Sequence, residues 1–371
     1  MQVRAYASLD ALPQSYSRLL SKDGCGSVFH RQDWIRAFAE HLLGPDQRLR
    51  LVGLENNEAQ PLALMVGTST RSLRTHRRAR ALCFVQPDAT PLAPLMAENV
   101  AALDVYSAIA RYARNERPAY DVLRLQPLDL DSPVLLELVR TLREAGYLIQ
   151  TFFNYPNRYQ DVGGMSSAQY LQTRPSRLRN TLRRKERRLE TSGQCRIALV
   201  TRNDELEVVI GDYDRVMAGS WKEGEQLLPV EYLHAVMRSA AAAGALRMGV
   251  LYVDEQPAAA QFWVVSDGIA YLYRTAYQTR YRELSVGTVL TWHVLRGLLD
   301  ADRVYELDLG IGNDPYKKDW VGAERARCGI VAFNPGTFHG LKNAVRHIGG
   351  HAAMRYAKGL LRRGRALLSR G

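Results

Sequence analysis

Three groups of residues in this chain have types and spacings that could do chemistry, and all three fall between Ile269 and Trp320. The first is Arg282, Ser285 and Gly287, spaced R-x-x-S-x-G and followed at once by the apolar run Val289, Leu290, Val294, Leu295 and Leu298 at helical period. A turn of small residues feeding a helix start presents unpaired backbone N–H groups at the positive end of the helix dipole. That is an anion site, and phosphate is its usual occupant. The second group is the strand pattern Val304 to Leu309, which puts Glu306 and Asp308 on one face. Asp308, standing just before the Gly310 and Gly312 turn, is placed to take a proton from an attacking amine or to bind it as ammonium. The third is the loop GNDPYKKDW, where Tyr316 could protonate a departing thiolate and Lys317 could neutralise a phosphate or carboxylate. Each group also has a plainer reading: Ser285 as an ordinary N-cap, the two acids as a solvated face, the loop as polar surface pinned by one aromatic.

These residues need elements to hold them. IAYLYRTAY reads as a strand rich in tyrosine and aliphatic residues. It follows a hairpin made by LRMGVLYVD and PAAAQFWVVSD, and the helix TVLTWHVLRGLLDA leads from the turn to VYELDLG. ARCGIVAFN closes the sheet. Upstream, the basic helix Ser176 to Thr191 precedes the strand CRIALV and two further helices, the second stopped by Gly244. Between those helices SWK, Ser220 to Lys222, offers Trp221 and Lys222. The first half has a similar order: a helix with Trp34, Phe38 and Leu42 at its apolar spacing, a hairpin across Glu55 to Gln60, the strand-like CFV, a helix from Asn99 to Asn115 and the strand DVLRLQPL. A helix capped by Ser132 with Pro133 at its first position then runs through LLELVRTLREAGYLI, with Gly146 at the C-cap.

Composition excludes several classes. The chain has 371 residues, 46% hydrophobic and 24% charged, which suits a folded protein of two domains. No apolar run approaches the roughly 18–20 residues of a membrane span, and the first residues do not read as a signal peptide. Cys25, Cys83, Cys195 and Cys328 are scattered, so a reduced, cytoplasmic protein is expected. The histidines show no metal spacing, and there is no Ser-His-Asp, Cys-His or Walker signature. The net charge of +12 is concentrated in Arg174 to Glu190 and in the acid-free stretch after Phe338. That excess calls for a polyanionic partner: a phosphorylated cofactor, nucleic acid or an anionic lipid surface.

The run PAAAQFWVVSDGIAYLYRTAYQTRYRELSVGTVL, with ELDLGIGNDPYKKDW after it, resembles the CelD-like branch of the GNAT acyltransferases, related to the FemAB peptidyltransferases. The S-x-G-T turn, the D-L-G-x-G strand end and the Y-K-x-x-W loop occur in the order that branch shows, over most of Ser166 to Asn334. Arg282 to Gly287 also fits the acetyl-CoA loop pattern, with Ser285 in place of its first glycine. The resemblance implies an α/β (α+β) chain of two tandem GNAT-like folds with a mixed central sheet flanked by helices: residues 1–160, then 161–340 carrying the working site, then a basic helical tail, 341–371. It implies acyl-CoA or acetyl-CoA as donor, held by Arg282, Ser285, Val286, Gly287 and Thr288. Catalysis would fall to Asp308, Tyr316 and Lys317, and acceptor binding to Trp221, Lys222, Gln261, Tyr273 and Arg274, with no metal. Arg274 stands where many relatives carry Lys, and Asn313 where an acid is common.

The expected activity is N-acylation of an amine on a sugar or small metabolite, in exopolysaccharide or cell-envelope biosynthesis. The alternatives are a FemAB-like aminoacyl-tRNA donor, met by the basic helix, and a non-catalytic scaffold at the membrane surface. The basic tail is expected to make peripheral contact at the inner face of the membrane.

Overall fold

The computed structural model describes residues 1–21, 27–71, 79–86, 90–192, 195–202, 205–220 and 228–349. Its strands are β1 (Gln2–Tyr6), β2 (Gln47–Glu55), β3 (Pro61–Thr70), β4 (Ala81–Val85), β5 (Leu95–Met96), β6 (Val122–Asp129), β7 (Leu148–Asp161), β8 (Cys195–Val200), β9 (Leu246–Val253), β10 (Gln256–Ser266), β11 (Ile269–Tyr277), β12 (Glu306–Ile311) and β13 (Ala323–Phe333). The helices are α1 (Ser17–Leu20), α2 (Gln32–His41), α3 (Ala102–Asn115), α4 (Pro133–Glu144), α5 (Ser167–Gln172), α6 (Ser176–Ser192), α7 (Leu206–Ala218), α8 (Val230–Ala242), α9 (Val286–Asp300), α10 (Lys317–Trp320) and α11 (Phe338–Ala344).

Local chemistry explains most boundaries. Asn56 Oδ1 accepts from the N–H groups of Glu58 and Gln60, closing the β2–β3 turn. Ser132 accepts from Val134 N with Pro133 at the first position of α4, and Gly146 adopts φ 84° after its end. Asp254 and Glu255 take positive φ at the tight β9–β10 turn.

All described strands lie in one mixed sheet, in the order β1-β2-β3-β4-β6-β13-β7-β12-β11-β10-β9-β8, with β5 paired to β3. The two halves repeat one plan, as the sequence predicts. In each, an antiparallel meander (β2-β3-β4 or β9-β10-β11) ends in a strand that pairs in parallel with the strand after the next long helix (β6 or β12). The halves differ at that parallel junction. β4 and β6 are paired along the whole of Ala81 to Val85, whereas β11 and β12 are paired only from Ile269 to Tyr271.

Two strands tie the halves together. β7, which the sequence does not predict, pairs with β12 on one side and β13 on the other. β13 then lies between β6 and β7, so the last described strand completes the sheet of the first half. Helices α3 and α4 cover one face of that half, burying Val105, Ile109, Leu138 and Leu142 against Phe84 and Leu123. In the second half α9 packs one face with Leu178 and Leu182 of α6 behind it, while α7 and α8 cover the other. The N-terminal segment crosses onto the α7 side: Phe29 and Trp34 meet edge to face at 5.0 Å, Phe29 meets Tyr271 at 5.2 Å, and Trp34 meets Tyr273 at 5.9 Å.

His30 sits at the end of the short turn Val28–His30 beside this aromatic cluster, and burial pushes its imidazole down to about 4. The folded chain therefore refuses a proton that the unfolded chain accepts below its ordinary value of about 6.5. Stability is expected to be full above about pH 6.5 and to fall by on the order of 2–3 kcal/mol as pH drops toward 4. Urea unfolding of His30→Gln across that range should show a flatter pH dependence; equal slopes would remove His30 from the account.

Candidate active site

The early end of β11–β12 pairing opens a wedge in the sheet. Beyond Tyr271 and Asp308, residues 272–277 of β11 have β10 as their only strand partner among the described residues, and β12 runs out through Gly310 (φ 71°) and Gly312 (φ 99°). A bulge lies at the same level: Phe262 opposes Arg274 while Trp263 opposes Leu272, leaving Tyr273 as the extra residue. Such a bulge points two successive side chains to one face. Leu272 accordingly joins the cluster behind α9, whereas Tyr273 and Ala276 join the one beneath α7. Arg274 is turned the same way. Simple strand alternation, by contrast, would have placed it with Leu272.

The turn at the wedge mouth leads straight into the start of α9. Residues Thr279–Leu284 form a tight turn, and Ser285 N–H donates to Arg282 O. Ser285 adopts φ 56° and ψ 36°, a left-handed conformation that costs a non-glycine residue about 1–2 kcal/mol. Its side chain makes no capping bond, so the N-cap reading of its hydroxyl is corrected here. The N–H groups of Val286, Gly287 and Thr288 are the first of a fifteen-residue helix and have no carbonyl four residues back within it. Arg282 is exposed beside them, and Lys185 Nζ donates to Glu283 O, tying the turn to α6. Gln261 steadies the turn from below. Its amide donates to Thr291 Oγ1, its oxygen accepts from Trp263 Nε1 at 3.0 Å, and Thr291 Oγ1 donates to Gly287 O at 2.8 Å. Gln261, expected in acceptor binding, is buried with these partners.

Asp308, expected to take a proton from the amine or bind it as ammonium, is buried. Its side chain is 0% exposed, and Oδ1 accepts from Asn157 Nδ2 and Gly310 N at 2.7 Å each while Oδ2 meets Arg325 Nη2 at 2.6 Å. Arg325 also grips Glu306 at 2.7 and 3.1 Å and Asn157 Oδ1 at 2.6 Å, with its guanidinium 4.3 Å from the Tyr159 ring centroid. Asp308 fixes the apex of the wedge and positions what lies beyond it.

Lys317 lies at the opposite lip and is 4% exposed. Nζ donates to Ile311 O at 2.6 Å and pairs with Asp314 at 3.3 Å. Burial lowers its basicity, Asp314 and Asp308 oppose that, and the Arg274 cation adds to it. Arg274 donates to its own neighbour's carbonyl, Tyr273 O, at 3.0 Å, while its buried Nε has no hydrogen-bond partner among the described residues. Tyr213 of α7, 1% exposed, likewise has an unpartnered Oη, within electrostatic reach of Arg274. Unpaired donors of this kind are costly and call for a ligand group or water. The structure thus brings together Arg274, Lys317 and Tyr213, the last of which the sequence reading does not single out.

The remaining candidates divide. Tyr273 packs in the aromatic cluster with its hydroxyl donating to Tyr232 Oη at 3.2 Å. Tyr316 is half-buried against the cluster behind α9, and Asn313 accepts from Arg158 at 2.8 and 3.0 Å. The loop after Tyr316 is pinned by Trp320 O, which accepts from Tyr170 Oη and from Arg174 at 2.5 Å. Trp221 and Lys222 lie outside the described residues. Among the described residues no group of three or more His, Cys, Asp or Glu could hold a metal.

The fold is a mixed α/β fold found in two solved structures. The crystal structure of FemX superposes with a TM-score of 0.58 at 9% identity, over 88% of this chain and 97% of that one. L-PGS from Bacillus licheniformis superposes with a TM-score of 0.53 at 11% identity, over 93% and 98%. Residues 176–318, which hold the wedge, its turn and its lip, match the family model described as an Acetyltransferase (GNAT) domain. A comparison with curated proteins gives no match.

Proposed function

We propose that the chain is an N-acyltransferase that takes its acyl group from a coenzyme A thioester bound in the wedge of the second half. The observation that carries this is the contrast between the two parallel junctions: β4–β6 is closed along its length, while β11–β12 opens after three residues beside a free helix start. The residues present fit such a donor. The Ser285 turn and the first N–H groups of α9 suit a pyrophosphate, with Arg282 adding charge. The unpaired edge of β11 past Tyr271 offers backbone N–H groups where the thioester oxygen gains charge. Arg274, Lys317 and Tyr213 would receive the acceptor, an amine that also carries an acidic group or a sugar hydroxyl pattern able to use three donors. With Asp308 held by Arg325, proton removal falls to water or to the acceptor's own surroundings.

Calorimetric titration with acetyl-CoA, longer acyl-CoAs and free CoA tests the donor site. Saturable binding is expected, weakened by about tenfold or more in Arg282→Glu, whose exposed side chain bears no packing. Gly287→Trp should abolish it, because a Cβ at Gly287 already comes within 3.3 Å of the Tyr277 ring and the indole would fill the cradle. No binding at millimolar ligand would overturn the CoA reading.

One observation favours a second reading, an aminoacyl-tRNA donor. Arg179, Arg183 and Arg184 are exposed on α6, the helix tied to the donor turn through Lys185. Displacement by tRNA with a steep salt dependence would move the assignment there.

A further inference from the structure

The short helix α11 and the turn that continues it, Val345–Gly349, are amphipathic in an unusual sense. Their inner side is fixed: Gly340, Asn343 and Ala344 are buried, and Ala344 and Ile348 pack on Val331 and Phe333. Gly340 is pressed so close to Asn334 O that a Cβ there would lie 2.0 Å from it, so the element is seated rigidly on the sheet. Its outer side carries Phe338, Leu341 and Val345, which are 76, 47 and 66% exposed. Their spacing, i, i+3 and i+7, makes one ridge. Lys342 and Arg346 stand exposed beside it.

Next to Phe338 the surface forms an open cleft of about 570 Å³, lined by Arg71, Arg80, His339 and Asp121 among others. Asp121 is buried and its carboxylate accepts from Arg80 N at 2.7 Å, so the two arginines outnumber the one carboxylate in the cleft. The Arg80 guanidinium lies 3.9 Å from the Tyr120 ring centroid, and its buried Nη1 has no hydrogen-bond partner among the described residues. The cleft is thus a cationic recess opening beside an apolar ridge.

We infer that this face docks on an anionic phospholipid surface, with the ridge entering the acyl boundary and the Arg71–Arg80–His339 cleft receiving a headgroup phosphate. Charge complementarity selects this occupant. The chain has no acidic residue after Glu324, so its own last residues, which are basic, repel Lys342 and Arg346. A second copy presenting the same face meets the same repulsion. Nucleic acid would satisfy the cations but leave two aliphatic side chains and a phenyl ring in water. A lipid interface uses both properties at once. The wedge and its turn are not part of this face, so the inference stands whether or not the donor is coenzyme A.

Co-sedimentation of the full chain with vesicles tests it. Sedimentation is expected with phosphatidylcholine vesicles that contain phosphatidylglycerol, little with phosphatidylcholine alone, and release by high salt. The triple variant Phe338→Ser, Leu341→Ser, Val345→Ser and the pair Lys342→Gln, Arg346→Gln should each weaken partitioning by about tenfold or more. All five side chains are exposed, so acyl-CoA binding and circular dichroism should match the parent chain. Retained sedimentation of the triple variant would overturn the inference, placing any affinity in the basic end of the chain. So would equal binding to neutral vesicles, a dimer that the triple variant abolishes while vesicles are ignored, or preferential binding of duplex DNA.

Discussion

Arg325→Met is expected to destabilise the fold by about 3–5 kcal/mol. Arg325 joins three strands: its guanidinium meets Glu306 and Asp308 on β12 and Asn157 on β7 from its place on β13. Burial works against the cation, yet the bond to Glu306 and the fields of Asp308 and Glu306 hold it above its ordinary value. Removing it leaves two carboxylates in a site where Asp308 has no access to water. The cost is that of uncompensated buried charge, so it should largely vanish when the charges go together. The triple variant Arg325→Met, Glu306→Gln, Asp308→Asn should recover most of the loss in urea unfolding at pH 7. A single-variant cost under about 1 kcal/mol would mean that water or a rearranged loop reaches the carboxylates, and the rigid apex would have to be abandoned.

Lys317→Met is expected to lower acyl transfer by about 100-fold while changing acyl-CoA affinity only a few-fold. The ammonium is held by Ile311 O and Asp314, and it feels the charge of Arg274. Two acceptors around Nζ favour the cation, so Lys317 is expected to act as a positive charge rather than as a base. The sign follows. Its basicity is lowered chiefly by burial, so rate should be lost as pH rises through a value below the ordinary lysine value of about 10.4. Lys317→Arg should keep part of the rate and carry the falling limb to higher pH. A rate that instead climbs with pH would make the neutral amine the working form. An unchanged kcat/KM in Lys317→Met would leave the residue as a clamp on the loop.

The order of elements was legible because its signals are local. Ser132, Pro133 and Gly146 mark α4, and the R-x-x-S-x-G turn marks the start of α9, each through the backbone preferences of a few neighbours. β7 was not legible. It is a fourteen-residue interior strand with Pro156 and Asn157 in its middle, and polar residues hold it through partners far along the chain, Asn157 to Asp308 and Arg325. A bulge in its pairing with β13, between Arg327 and Cys328, lies close to Pro156. The site was half legible for the same reason. Two acids at i and i+2 on a strand announce a need for a cation, but nothing in the sequence says that Arg325 supplies it. The bulge that turns Arg274 toward Tyr213 is a matter of register between β10 and β11, which no composition reveals.

The place of β13 has a consequence for how the protein is made. A chain leaving the ribosome lays down β6 and β7 long before Ala323–Phe333, so each waits with an open edge while the whole second half is synthesised. The sheet of the first half is therefore completed only once β13 has been made. A nascent chain ending at Asp161 has a β7 edge that waits for β12 and two further edges, one on β6 and one on β7, that wait for β13. The strand that closes them also delivers Arg325 to the apex of the wedge, so the site is assembled by the same late event that completes the sheet.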